Sequence, residues 1–125
     1  MNYAPDMSRR ARGIELWATL RSLGRSGLAA LIERTCAHAQ RVATGLQQAG
    51  YTILNDVVIN QVLASFGSAE RTLAVIKRIQ EDGTCWAGST VWQGHTAMRI
   101  SVSSRLTSED DVDKSLAAIL KAASA

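Results

Sequence analysis

Two stretches decide the fold: Thr84-Cys85-Trp86-Ala87-Gly88-Ser89-Thr90-Val91-Trp92 and Thr96-Ala97-Met98-Arg99-Ile100-Ser101-Val102-Ser103, joined at Gln93-Gly94-His95. Both are rich in the Val, Ile, Thr and Trp that suit a pleated surface, and a glycine-containing break separates them, so the pattern predicts two strands joined by a turn. In the second strand Ala97, Arg99, Ser101 and Ser103 share one face, while Met98, Ile100 and Val102 share the other, because successive strand side chains point to opposite sides.

The neighbouring sequence supplies helices to cover an apolar face. C-terminal to the strands, Thr107 with Asp110 three residues on reads as a capping box, and Val112, Leu116, Ile119 and Leu120 draw one buried stripe. N-terminal to them, Ser68 reads as an N-cap, Leu73, Ile76 and Ile79 as a helical face, and Asp82-Gly83 as its end. Before that helix, Tyr51–Leu54 reads as a short strand, Asn55-Asp56 as a turn, and Val57–Phe66 as a second extended stretch.

Earlier still, Leu28, Leu31, Ile32, Val42, Ala43 and Leu46 form an apolar helical stripe that Gly50 stops. Ile14, Trp17 and Leu20 repeat at the same spacing before Gly24 and Gly27 interrupt it. The two pieces are either separate helices or one long helix bent at those glycines. The expected class is α+β: a mostly antiparallel sheet of four strands, or of three, with helices on one face and a long helix in front.

Composition agrees with one folded domain. A chain of 125 residues, 46% apolar and 20% charged with a single proline, has enough apolar content to bury a core and is poorly suited to disorder. The net charge of +3 is scattered, with Arg9, Arg10 and Arg12 the one cluster, which suits a solvated surface better than a phosphate-binding stripe. No apolar run reaches the roughly 20 residues a membrane span needs, and no secretory signal opens the chain. Two cysteines, Cys36 and Cys85, suit a reduced, cytoplasmic protein. The polar Met1–Arg12 stretch with Pro5 reads as a connecting segment taken from something longer.

Most candidate chemistry reduces to packing or surface. Cys36 and His38 lie two apart on a helix and point to different faces, and two Cys with two His do not make the converging ligand set that zinc needs. A Cys85–His95 nucleophile pair lacks a residue to orient the imidazole. No glycine run forms a phosphate-cradling loop, and Gly24-Arg25-Ser26-Gly27-Leu28 lacks the closing glycine of a nucleophile elbow. Trp86 and Trp92 suit core or interface anchoring better than base stacking. Arg99 is different. A guanidinium inside the most strand-like segment either faces water or meets an anion, and its planar fork suits a carboxylate.

Two further stretches carry a resemblance. Ser8-Arg9-Arg10-Ala11-Arg12-Gly13-Ile14-Glu15-Leu16-Trp17, then Leu20-Arg21-Ser22-Leu23-Gly24, resembles the segment that opens the small domain of group II pyridoxal-phosphate decarboxylases acting on aromatic amino acids, glutamate or 2,4-diaminobutyrate. The family usually has phenylalanine where Ala11 stands and lysine where Glu15 stands, so this chain would be a divergent branch. Ala97-Met98-Arg99-Ile100-Ser101-Val102-Ser103, followed by Thr107-Ser108-Glu109-Asp110-Asp111-Val112, is similar to the family's late strand and terminal helix.

The resemblance implies residues 1–13 as an interdomain connection and residues 14–125 as the C-terminal small domain of a fold-type I enzyme, homodimeric when whole. The lysine that binds pyridoxal phosphate would lie in an upstream large domain, in a His-x-x-Lys context. Here the lysines are Lys77, Lys114 and Lys121, and none follows a histidine by three. Arg99 would contact the carboxylate of an amino-acid substrate, with Arg9 and Arg10 near the site. No catalytic residue and no metal is expected in this chain, which alone would be inactive and bind no cofactor, and neither nucleic acid nor membrane is expected as a partner. Two rivals stand beside this reading: a free-standing small-ligand or regulatory module, since fold does not fix function, and a single-strand binder using Trp86 and Trp92.

Overall fold

The computed structural model describes residues 12–104 and 106–125, with the backbone alone at Arg12. The chain divides into two compact units, Met1–Leu31 and Ile32–Ala125. Elements run α1 (Arg12–Gln48), β1 (Thr52–Ile53), β2 (Gln61–Ser65), α2 (Ala69–Asp82), β3 (Gly88–Trp92), β4 (His95–Ser101) and α3 (Glu109–Ser124).

In the first unit the helix carries Ile14, Leu16, Trp17 and Leu20 exposed, and the Arg21 guanidinium sits 5.9 Å from the Trp17 ring centre. Gly24 leaves helical geometry at φ 67° and ψ −177°, a region essentially reserved for glycine, so the expected bend falls there. Gly27 stays helical.

The second unit holds the sheet, ordered β1-β2-β4-β3 and antiparallel throughout. The α+β expectation is met with four strands. Register follows the pleat: Val62 pairs with Ile100 and Ala64 with Met98 on one face, Leu63 with Arg99 on the other. The first face takes the helices. Val42 and Leu46 of α1, Val75, Ile76 and Ile79 of α2, and Val112, Ile119 and Ala123 of α3 pack with Ala64, Phe66 and Met98 in one cluster. Ala39 and Ala43 of α1 meet Val62 and Val102 in a second cluster. Fully burying each larger side chain contributes about 1.5–3 kcal/mol. Tyr51 meets Phe66 edge-on at 4.9 Å between ring centres, which ties the end of α1 to β2.

Several expected boundaries shift. Val57–Asn60 is not strand: Asn55 donates from Nδ2 to the Gln61 carbonyl and accepts from the Leu63 N–H, so a side chain takes over the pairing where β1 stops. The cap of α3 is Ser108 with Asp111, one residue beyond the expected Thr107–Asp110. Ser108 Oγ accepts from the Asp111 N–H at 3.1 Å, and Asp111 Oδ2 accepts from the Ser108 N–H at 2.9 Å. In α2, Leu73 is 48% exposed and Thr72 takes its inward place, fully buried with Oγ1 accepting the Phe66 N–H at 3.1 Å. Ile32 of the expected α1 stripe is likewise exposed. Ser68 and Gly83 cap α2 as expected, Gly83 at φ 79°.

Candidate functional site

Arg99 stands at the middle of β4, a central strand, between Leu63 of β2 and Gly88 of β3. Because Met98 and Ile100 point into the helix-packed cluster, the pleat sends Arg99 to the opposite face, where Leu63 and Ala97 beside it are nonetheless buried. It is therefore turned away from the packed residues of α1. Its side chain is exposed and, among the described residues, has no hydrogen-bond or ion-pair partner. On its β3 flank Gly88 offers no side chain, and a Cβ built there would meet nothing within 4 Å. Gln61 and Ser101, paired across β2 and β4, share its face one step along the strands. The result is an uncommitted planar cation on a rigid strand, flanked by open space and two neutral hydrogen-bonding side chains. That set can bind and orient a carboxylate; it holds no group positioned for proton transfer or nucleophilic attack.

Groups with displaced pKa values lie elsewhere, and each has a structural cause. Hydrogen bonds from Thr84 hold Asp82 below the usual carboxylate range, and the Ser108 N–H and hydroxyl do the same for Asp111. Asp110 raises Lys114 through a hydrogen bond and ion pair at 2.9 Å. Burial pushes the Cys85 thiol up. These are caps and turns, with one thiol buried against the core.

The other sequence candidates do not converge. The Cys85 thiol turns toward the Ser115 carbonyl at 4.0 Å, while His95 is exposed at the start of β4. Both cysteines are free, and no cluster of metal-ligating side chains occurs among the described residues. His38 is buried on α1 with Nδ1 unpartnered, a feature the sequence gives no signal for. Trp86 and Trp92 are not core residues: they are 73% and 41% exposed. The run from Thr84 to Met98 that carries them contains no lysine or arginine. A cavity of about 220 Å³ is lined by Val42, Cys85, Ile100, Ser101, Val112 and Ile119 among others, with no charged side chain among the described residues that line it. Arg9 and Arg10 lie outside the described residues.

Lys77, Lys114 and Lys121 are exposed on α2 and α3, with Lys77 paired to Glu81 and Lys114 to Asp110. Among the described residues no helix is long and apolar enough to cross a membrane.

No family model matches the chain. It is 33% identical over 113 residues to an aromatic-L-amino-acid decarboxylase of Drosophila lebanonensis, a match covering 87% of this chain and 28% of that protein. The fold is similar to that of Oryza sativa TDC solved with PLP and tryptamine, at a TM-score of 0.80 and 22% identity, covering 93% of this chain and 27% of that one. It is also similar to Catharanthus roseus tryptophan decarboxylase in complex with L-tryptophan, at a TM-score of 0.78 and 23% identity over 90% of this chain and 26% of that one. The chain thus spans about a quarter of the length of the proteins it matches, in their C-terminal part.

Proposed function

We propose that this chain, alike in sequence and fold to the C-terminal part of group II pyridoxal-phosphate decarboxylases, serves as the small domain of such an enzyme and helps position an amino-acid substrate by its carboxylate. The cofactor would be held by a large domain outside this sequence, in a homodimeric whole, because no lysine here is placed to bind it. When bound there, pyridoxal phosphate supplies the electron sink that decarboxylation requires. The part assigned to this chain is orientation. Arg99, held by strand pairing on both sides, would fix the carboxylate's direction through a forked pair of hydrogen bonds, a positioning role.

The observation that carries this reading is an exposed guanidinium, without a partner among the described residues, at the middle of a central strand and on the sheet face opposite the helix-packed cluster. An arginine placed only for solubility would serve as well on a helix surface. One at the centre of a sheet, with a glycine opening space beside it, suits a ligand or partner brought to that face. Arg9 and Arg10 join this proposal as site-adjacent cations on the strength of the sequence resemblance alone.

The test is kinetic. In the full-length protein, Arg99→Lys should lower kcat/KM for the amino-acid substrate at least tenfold while cofactor content, read from its absorbance, stays at wild-type level. Lysine keeps the charge and loses the fork, so wild-type kinetics for this variant would overturn the assignment. The isolated chain mixed with pyridoxal phosphate should show no saturable cofactor absorption band; such a band at one molar equivalent would overturn the placement of the cofactor in another domain.

A further inference from the structure

We infer that the β3 edge is a self-pairing surface, on which a second copy of this chain adds its own β3 antiparallel across a two-fold axis at Thr90. The inference does not rest on the decarboxylase reading, and it gives the space over Gly88 to Trp92 of the second copy. β3 is the outermost strand of the sheet, and five residues long, whereas the other edge, β1, has two. Exposed edges are usually protected by charge, proline, a bulge or shortness. Here none of these applies: from Thr84 to Met98 there is no Asp, Glu, Lys, Arg or Pro. Trp86, Val91 and Trp92 are exposed along the same run, Val91 by 70%.

The register of the hairpin says which backbone groups are open. Gln93 and Gly94 have φ of 48° and 80°, the pair of positive values that a two-residue type I′ turn requires. Trp92 and His95 therefore form a hydrogen-bonded pair, and alternation makes Thr90–Ala97 and Gly88–Arg99 the next ones. Gly88, Thr90 and Trp92 spend their N–H and C=O on β4. Ser89 and Val91 turn theirs outward. Further along, the Ala87 carbonyl already accepts from Gln80 Nε2 at 2.8 Å, which closes that end of the edge.

A second β3 laid antiparallel with Thr90 on the axis sets Ser89 of one copy against Val91 of the other, twice by symmetry, and each pairing exchanges both its backbone hydrogen bonds. The same register sets Trp92 of each copy across from Gly88 of the other in a close, non-hydrogen-bonded pair. A tryptophan over a bare glycine covers backbone that Gly88 leaves open, as in aromatic rescue of strand glycines. The two Thr90 side chains meet at the axis, a favourable β-branched contact. Charge selects the occupant. A neutral edge meets an identical neutral edge without repulsion, and nothing along it would orient a charged peptide.

Sedimentation velocity on the chain from about 10 µM to about 1 mM, the range in which a small interface dissociates, tests this. The wild type should pass from monomer to dimer across that range. Thr90→Lys and Thr90→Glu should each remain monomeric, because like charges would face each other at the axis, and an equimolar mixture of the two should dimerise again. Trp17→Glu, on the first helix, should dimerise as the wild type does. Should a Thr90 variant fail to fold by circular dichroism, Val91→Pro carries the test, since it removes only an outward N–H and should abolish the dimer. A wild type monomeric at 1 mM, or a folded Thr90→Lys or Val91→Pro chain that dimerises normally, overturns the inference.

Discussion

Met98 and Arg99 are neighbours in one strand, yet they lie in opposite environments. Met98 is fully buried in the cluster to which three helices contribute, and Arg99 is exposed on the opposite face. The alternation of the pleat alone makes that difference. It separates two tasks on one strand, since Met98 secures the fold while the exposed Arg99 is free to meet something outside it. A change at Arg99 can therefore alter binding without unfolding the domain.

The sharpest way to break this comparison is to truncate the buried neighbour. Met98→Ala should destabilise the Ile32–Ala125 unit by about 2–4 kcal/mol, because it removes most of a side chain from a cluster in which α1, α2 and α3 converge on β4. Urea unfolding followed by circular dichroism would measure it. A loss under about 1 kcal/mol would mean that the helices do not depend on that face as closely as the geometry requires.

An intermediate effect is expected at the start of α3, which lays its apolar stripe on the same cluster. Ser108→Ala should cost about 1 kcal/mol, and Thr107→Ala much less, since it is the Ser108 hydroxyl that accepts the Asp111 N–H. A larger loss from Thr107 would restore the cap to the position first expected from sequence. Acid provides a second measurement. Asp111 has its pKa lowered, first by the Ser108 N–H and then by its hydroxyl, so its stabilising contribution is complete above the unfolded carboxylate value of about 3.9 and is lost as pH falls through the lower folded value. Ser108→Ala keeps the backbone N–H and should retain most of this acid sensitivity. Asp111→Asn should remove it.

The one-residue error in that cap shows where sequence stopped being sufficient. Thr107–Asp110 and Ser108–Asp111 both satisfy the capping spacing, and local chemistry does not choose between them. The choice depends on which helical phase buries Val112 and Ile119, a tertiary matter. Strand faces were easier to read. A period of two in Ala97–Val102 leaves one assignment that buries Met98 and Ile100 together, and the helix-packed face followed. The Val57–Asn60 segment looked like strand because its composition is apolar, but Asn55 replaces a backbone partner with its side chain, and propensity does not register that. At the candidate site, the sequence singled out Arg99 but gave no indication that its side chain would be exposed, or that Gly88 lay beside it. Cross-strand register carries that information. The exposure of Trp86 and Trp92 was equally hidden, since their composition suits a core, while Trp92 lies on the edge strand β3 and Trp86 just before it.

The smallest effect on folding is expected at Arg99 itself, and it is the one that gives the comparison its functional meaning. Arg99→Ala should change the stability of the isolated chain by no more than about 0.5 kcal/mol, as for other surface substitutions, because no ion pair is broken and no buried polar group is left behind among the described residues. Measured beside Met98→Ala under the same denaturant, it should leave the unfolding midpoint nearly where the wild type has it. A loss above about 1 kcal/mol would reveal that the aliphatic stem of Arg99 covers Leu63 or Ala97 strongly enough to be structural. The residue would then have a packing reason to be there, and a defect of the full-length enzyme could not be assigned to a lost carboxylate contact. Only an arginine that is dispensable for folding can make a kinetic defect evidence for positioning.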